Sequence, residues 1–235
     1  MIVQKEKTAA YSNASGKAVS RRTWRIRLIL LCLLSALLLA GCAGGGSGSD
    51  SASSGDTSLM EIPEADENGR IPVGSSVLAP AQFENFEIGE YNAALTASGF
   101  YYATWVTGSP TDYTNSDGDE AKLYDAQVYM VVYEGTDPDD AASKAAGWLE
   151  AARQSYRISE TSTQTLGDGI TPDDAECTVL AYTNEEASNP FAAGASAFFS
   201  SGKTAVCVEA VHTSGWNGDP GAVLDKFLKQ MTVSQ

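Results

Sequence analysis

The residues able to do chemistry here are few. The chain has one histidine, His212, and four cysteines, Cys32, Cys42, Cys177 and Cys207. A serine hydrolase would need His212 paired with a carboxylate and an activated serine. No G-x-S-x-G elbow occurs, and the bland reading is a strand-end histidine near the surface. One histidine also excludes the usual multi-histidine zinc sites, and H-E-x-x-H is absent. Asn115, Asp117 and Asp119 alternate through NSDGDE, as the first ligands of a calcium loop do. Glu120 stands where such a loop needs its turn glycine, and Ala126 where it needs its closing glutamate. A solvated loop is therefore the plainer reading, with a weak millimolar-range calcium site as the alternative. Tyr102, Trp105 and Trp216 are aromatic candidates for stacking on a sugar or holding an apolar ligand, against the simpler role of core packing. Paired carboxylates carry no signal among 30 acidic residues. No catalytic residue and no cofactor are assigned.

These residues depend on where the chain resides, and the N-terminus addresses that. Residues 1–27 hold seven Lys and Arg against Glu6 alone, and LILLCLLSALLLA follows over 28–40 without a charge. Thirteen helical residues cover about 20 Å, too little for a bilayer core of roughly 30 Å. A basic region, an apolar run and small residues make a secretory signal over residues 1–41. Leu39-Ala40-Gly41-Cys42 resembles the lipobox of bacterial lipoproteins. That resemblance implies a diacylglycerol on the Cys42 thiol, cleavage just before it, and a protein held to the extracytoplasmic face of the cell membrane. Two acyl chains suffice for stable anchoring where one does not. Ser20-Arg21-Arg22-Thr23-Trp24-Arg25 resembles a twin-arginine export motif, but Arg25 breaks it and the leucine-rich run suits the general secretory route. Residues 43–58 hold five Gly, six Ser and no large apolar side chain, a composition that cannot fold. A Gly/Ser and acidic tether is expected over 42–75, and one domain over 76–235.

After the signal the chain carries 8 basic and 29 acidic residues, a formal −21. Phosphate binding needs basic patches, so nucleic acid is excluded as a partner. Lying flat on an anionic membrane is disfavoured for the same reason. Attraction for cationic partners is the functional reading of this charge; solubility is the plainer one. With Cys32 in the signal and Cys42 lipidated, Cys177 and Cys207 remain as an even pair in an oxidising place. A disulfide between them is expected. The folded part is too short for a two-lobed solute-binding protein.

Around these residues the elements read clearly. GFYYATWVTG (99–108) and YDAQVYMVVYEG (124–135) have strand composition, joined by a turn-rich hairpin loop. Asp137 caps a helix, Pro138 opens it, and Ala141, Ala145, Trp148, Leu149, Ala152 and Tyr156 make its apolar stripe. Strands are expected at 159–166, 176–183, 195–200 and 203–213. Asp219 and Pro220 open a second amphipathic helix that buries Val223, Leu224, Phe227, Leu228 and Met231. The class is α+β, a mostly antiparallel sheet with two amphipathic helices in the rough order β-β-α-β-β-β-α. Over roughly 85–232 this order resembles the Mog1/PsbP-like fold, shared by several small bacterial lipoproteins. That resemblance implies an accessory or binding protein without catalysis. The expected function is thus a membrane-anchored, non-catalytic binding module of the cell envelope, whose partner is an envelope protein, a glycan or a small apolar ligand. The alternatives are an envelope hydrolase using acidic residues and a calcium-dependent interaction module.

Overall fold

The computed structural model describes residues 61–92, 99–114, 120–167, 169–184 and 190–234. Strands come first: β1 (Arg70–Val73), β2 (Val77–Pro80), β3 (Gln82–Phe83), β4 (Phe86–Asn92), β5 (Phe100–Thr107), β6 (Thr111–Thr114), β7 (Glu120–Leu123) and β8 (Ala126–Glu134). Helix α1 (Pro138–Ser155) follows, then β9 (Arg157–Thr165), β10 (Glu176–Thr183), β11 (Phe191–Ser201) and β12 (Thr204–Thr213). Helix α2 (Pro220–Leu228) and β13 (Thr232–Val233) close the domain. The α+β class holds. The four strands expected between the helices are all present, one more than the rough order counts, and a further group of short strands precedes β5.

Eight strands form one antiparallel sheet in the order β3-β4-β5-β8-β12-β11-β10-β9. A small sheet, β1-β2-β13, and the β6-β7 hairpin stand apart from it. The centre of the large sheet is AQVYMVVYE on β8 and TAVCVEAVHT on β12, long apolar runs suited to burial on both faces. Alternation sends Trp105, Val128, Met130, Val208 and Ala210 to one face, where Val223, Leu224, Phe227 and Leu228 of α2 and the small sheet cover them. Phe100, Val131, Phe198 and Ala205 go to the other face, under Ala141, Ala145, Trp148 and Ala152 of α1. Each large side chain so buried adds about 1.5–3 kcal/mol.

Both helices start as their sequences require. Asp137 accepts from Asp140 N–H at 2.9 Å, and Asp219 accepts from Gly221 N–H at 2.9 Å, each followed by proline in the first turn. No helix among the described residues is long and apolar enough to cross a membrane.

The register corrects three expectations. Cys177 and Cys207 do not bond to each other. They lie two strands apart, with β11 between, because Phe198 pairs with both Thr178 and Cys207. Two strand spacings are about 10 Å, beyond the roughly 7 Å that a disulfide spans between Cα atoms. Cys177 also faces the α2 side and Cys207 the α1 side. Trp105 is core, fully buried, with its indole N–H donating to Pro80 O at 2.8 Å and its ring edge-on to Phe227. The tether does not run to residue 75, because Ile71 and Val73 of β1 are fully buried in the main core. Cys42, the signal and the glycine-rich run lie outside the described residues.

Candidate functional site

Helix α1 covers only part of its face of the sheet. Its C-cap, Tyr156, leaves the helix in an extended conformation and stacks on Tyr182 of β10, with ring centroids 4.0 Å apart and planes at 5°. Beyond this pair the face carries tyrosines, small polar side chains and two acids. Register sets the row. Glu90 on β4 pairs with Thr104 on β5, Thr104 with Tyr129 on β8, Tyr129 with Glu209 on β12, and Glu209 with Ser196 on β11. Cross-strand partners share a face, so five strands present these side chains to one side. Tyr102 stands two residues before Thr104 and stacks on Tyr129, centroids 6.4 Å apart. Phe191 meets Tyr129 edge-on at 6.4 Å. Leu123, at the end of the β6-β7 hairpin, packs against the same cluster.

Glu209 is the centre of this arrangement. Tyr182 Oη and Ser196 Oγ, the latter at 3.2 Å, both donate to its Oε1, and the Tyr156 hydroxyl is a third partner. Burial pushes the carboxyl pKa up, and the three hydroxyl bonds only partly offset it. Neither Lys nor Arg is among the interactions that set its charge state. A buried carboxylate is ordinarily paired with a cation or a metal; this one has hydroxyls alone. Burial is likewise the largest influence on Tyr102 and Tyr129, and it keeps both phenols protonated far into alkali. Glu209 and Glu90 push the same way on both rings. Yet Tyr102, Tyr129 and Glu209 each keep some solvent exposure. This cluster therefore sits at the edge of the core, packed on Phe191 and Val211 yet still in contact with solvent.

This arrangement supplies π-faces and one carboxyl group, while the hydroxyls of Tyr129, Tyr156 and Tyr182 are already committed to Gln127 and Glu209. Of the residues singled out in the sequence, Tyr102 lies here. Trp105 is on the opposite face. Trp216 sits past the end of β12, half-buried, tilted against His212 with centroids 5.3 Å apart and packed on the α2-side core. The three aromatic candidates therefore do not converge. His212 has its Nδ1 2.7 Å from Thr213 O and lies on the α2 face. Asn115, Asp117 and Asp119 lie outside the described residues, and no group of acids, histidines and cysteines able to hold a metal occurs among the described ones. Sequence reading missed Glu209, although a lone acid inside the apolar run AVCVEAV was a usable signal.

No family model matches the chain, and no curated protein is similar to it in sequence. Among solved structures it is similar to a protein of Bacteroides thetaiotaomicron VPI-5482, whose crystal structure was determined at 1.50 Å resolution. The two share 8% identity over 57% of this chain, which spans 45% of that protein, with a TM-score of 0.33.

Proposed function

We propose that this protein is a lipid-anchored, non-catalytic binding module on the extracytoplasmic face of the cell membrane, and that the tyrosine cluster around Glu209 is its ligand site. Cys42 carries the lipid, and the Gly/Ser run spaces the domain from the headgroups. The α+β domain is of the Mog1/PsbP-like kind. One observation carries the binding reading. Four tyrosines, from β5, β8, β10 and the C-cap of α1, gather around a half-buried carboxylate whose charge state no Lys or Arg sets. A domain needing only stability gains more from apolar residues at such a position.

Native mass spectrometry of the chain isolated from its own cells tests this. The expected result is an added mass that is lost on denaturation and lost with Tyr129→Leu. A bare chain under gentle isolation, in both wild type and variant, would count against a retained ligand. Cys42→Ser should release the protein from the membrane; a variant that stays membrane-bound would remove the lipid anchor from the reading.

The upward shift at Glu209 favours one second reading, an envelope hydrolase with Glu209 as the general acid. That reading predicts turnover of a bound envelope glycan or peptide, abolished by Glu209→Gln, where a binding module returns the ligand unchanged.

A further inference from the structure

We propose that the tyrosine cluster takes a small organic ammonium ion, a ligand of the quaternary or methylated ammonium class, with Tyr102 and Tyr129 supplying ring faces and Glu209 the counter-charge. This rests on the binding reading above and names its ligand chemistry.

Three features select a cation over a neutral ligand. Aromatic faces attract cations through their negative quadrupole, by about 0.5–1 kcal/mol when exposed and about 2 when desolvated. Tyr102 and Tyr129 sit at the desolvated end of that range while still reaching solvent. Glu209 stands directly across from Tyr129 in the pairing of β8 and β12, so a cation against that ring lies beside the carboxylate. The protein already uses this geometry for one of its own cations elsewhere. Lys144 Nζ lies 4.9 Å from the Tyr133 ring centroid and 5.4 Å from that of Phe100.

The nearby acids and the helix end carry the same sign, and Arg157, next to Tyr156, is exposed. Tyr156, which bonds Glu209, is the C-cap of α1, so the negative end of that helix dipole is close to the cluster. Arg153, in the last turn, is exposed. Glu90 is exposed on β4, two strands from Tyr129 in the same row. An anion would meet two carboxylates and a helix C-terminus here. A neutral sugar would leave the Glu209 charge uncompensated. An ammonium ion without N–H groups needs only π-faces and a negative centre, and the cluster offers both.

The test compares choline with 3,3-dimethylbutanol, its neutral isostere, by isothermal titration of the full chain in a non-ionic detergent. Saturable choline binding at least tenfold tighter than that of the isostere is expected. Glu209→Gln should weaken choline at least tenfold while leaving the isostere unchanged, and Glu90→Gln, at an exposed rim position, should weaken it about threefold. Phosphatidylcholine vesicles form a competing arm. Displacement of choline by the vesicles places the ammonium on a lipid headgroup, and its persistence places the ammonium on a soluble ligand; either outcome supports the ammonium assignment. Equal affinity for choline and the isostere overturns the cation but leaves a binding face. No heat from either overturns the cation, and the native mass measurement then decides the binding reading separately.

Discussion

Replacing Glu134 by alanine tests how the small sheet is held to the large one. Glu134 ends β8, and its Oε1 accepts from Ser75 N–H, from Ser75 Oγ at 2.8 Å, and from Ser76 N–H and Ser76 Oγ, both at 3.1 Å. Tyr101 Oη donates to Oε2 at 3.2 Å. The β1–β2 turn is shaped for this contact. Gly74 has φ +76°, and a Cβ there would stand 2.7 Å from Glu134 Oε1. Ser75 is exposed, so water replaces its two bonds at little net cost. The three bonds from Ser76 and Tyr101 are part-buried, and each adds about 1 kcal/mol net. Discounting for the partial exposure of the carboxylate, the loss is about 2–3 kcal/mol. For a domain of this size that lowers the melting temperature by roughly 5–10 °C. Burial opposes ionisation of Glu134, but the bonds from Ser75, Ser76 and Tyr101 outweigh it and hold its pKa below the usual value. A depressed carboxyl stabilises the fold above its unfolded pKa of about 4.3, and that stability is lost as pH falls through the folded value. Circular dichroism melts of wild type and Glu134→Ala at pH 7 and pH 3.5 should therefore differ most at pH 7. A gap near zero at pH 7, or one that widens on acidification, would refute the reasoning.

Glu209 has the opposite sign. Burial raises its folded pKa, so wild-type stability falls as pH rises from about 4.3 toward that raised value. Glu209→Gln lacks this fall and should melt higher than wild type at pH 7 but not at pH 4; a variant that melts lower at both would sink the claim. Trp105→Phe leaves Pro80 O without its 2.8 Å donor and opens space beside Phe227, at a cost of about 2–4 kcal/mol in urea unfolding. Its choline isotherm should be unchanged, since it lies on the α2 face; an altered affinity would contradict that placement. Burial pushes the Cys177 thiol up to about 12, so the native protein should resist alkylation there. Peptide mapping after denaturation in iodoacetamide should find carbamidomethyl groups on both Cys177 and Cys207, and a linked peptide pair instead would mean the register is wrong. Asp137→Ala removes the α1 cap and should lower stability by about 1 kcal/mol.

The elements with strong local signals were legible. Asp-Pro punctuation and a helical apolar stripe mark α1 and α2, and their starts agree with the structure. Strands β5, β8, β10 and β12 carry aromatic and β-branched runs long enough to stand out. The short strands β1 and β2 were not legible, because Arg70–Val73 and Val77–Pro80 are four residues each and contain proline. Their stability comes from contacts far along the chain, such as β13 pairing with β2 and Glu134 holding the turn between β1 and β2. The disulfide inference failed for a related reason. An even cysteine count states that a pair is available, while sheet order and side-chain parity decide whether the thiols can meet. Here Phe198 stands between them, and alternation puts them on opposite faces.

The tyrosine cluster was hidden by the same long-range geometry. Tyr102, Tyr129, Tyr156, Tyr182 and Glu209 are scattered over five segments, and only the antiparallel register aligns them. Part of the signal was nevertheless local. On β12, Val206, Val208 and Ala210 alternate with Cys207, Glu209 and Val211, so an acid at 209 in a central strand must be buried on one face or the other. Burying a carboxylate without a cation is costly, and three hydroxyl donors offset only part of the cost, as its raised pKa shows. A lysine or arginine across from it, at Tyr129 or Ser196, would have neutralised it. The sequence instead places an aromatic ring and a hydroxyl at those positions. A carboxylate that its own fold partners with hydroxyls but with no cation, beside rings that favour cations, is what a site for an incoming ammonium ion requires.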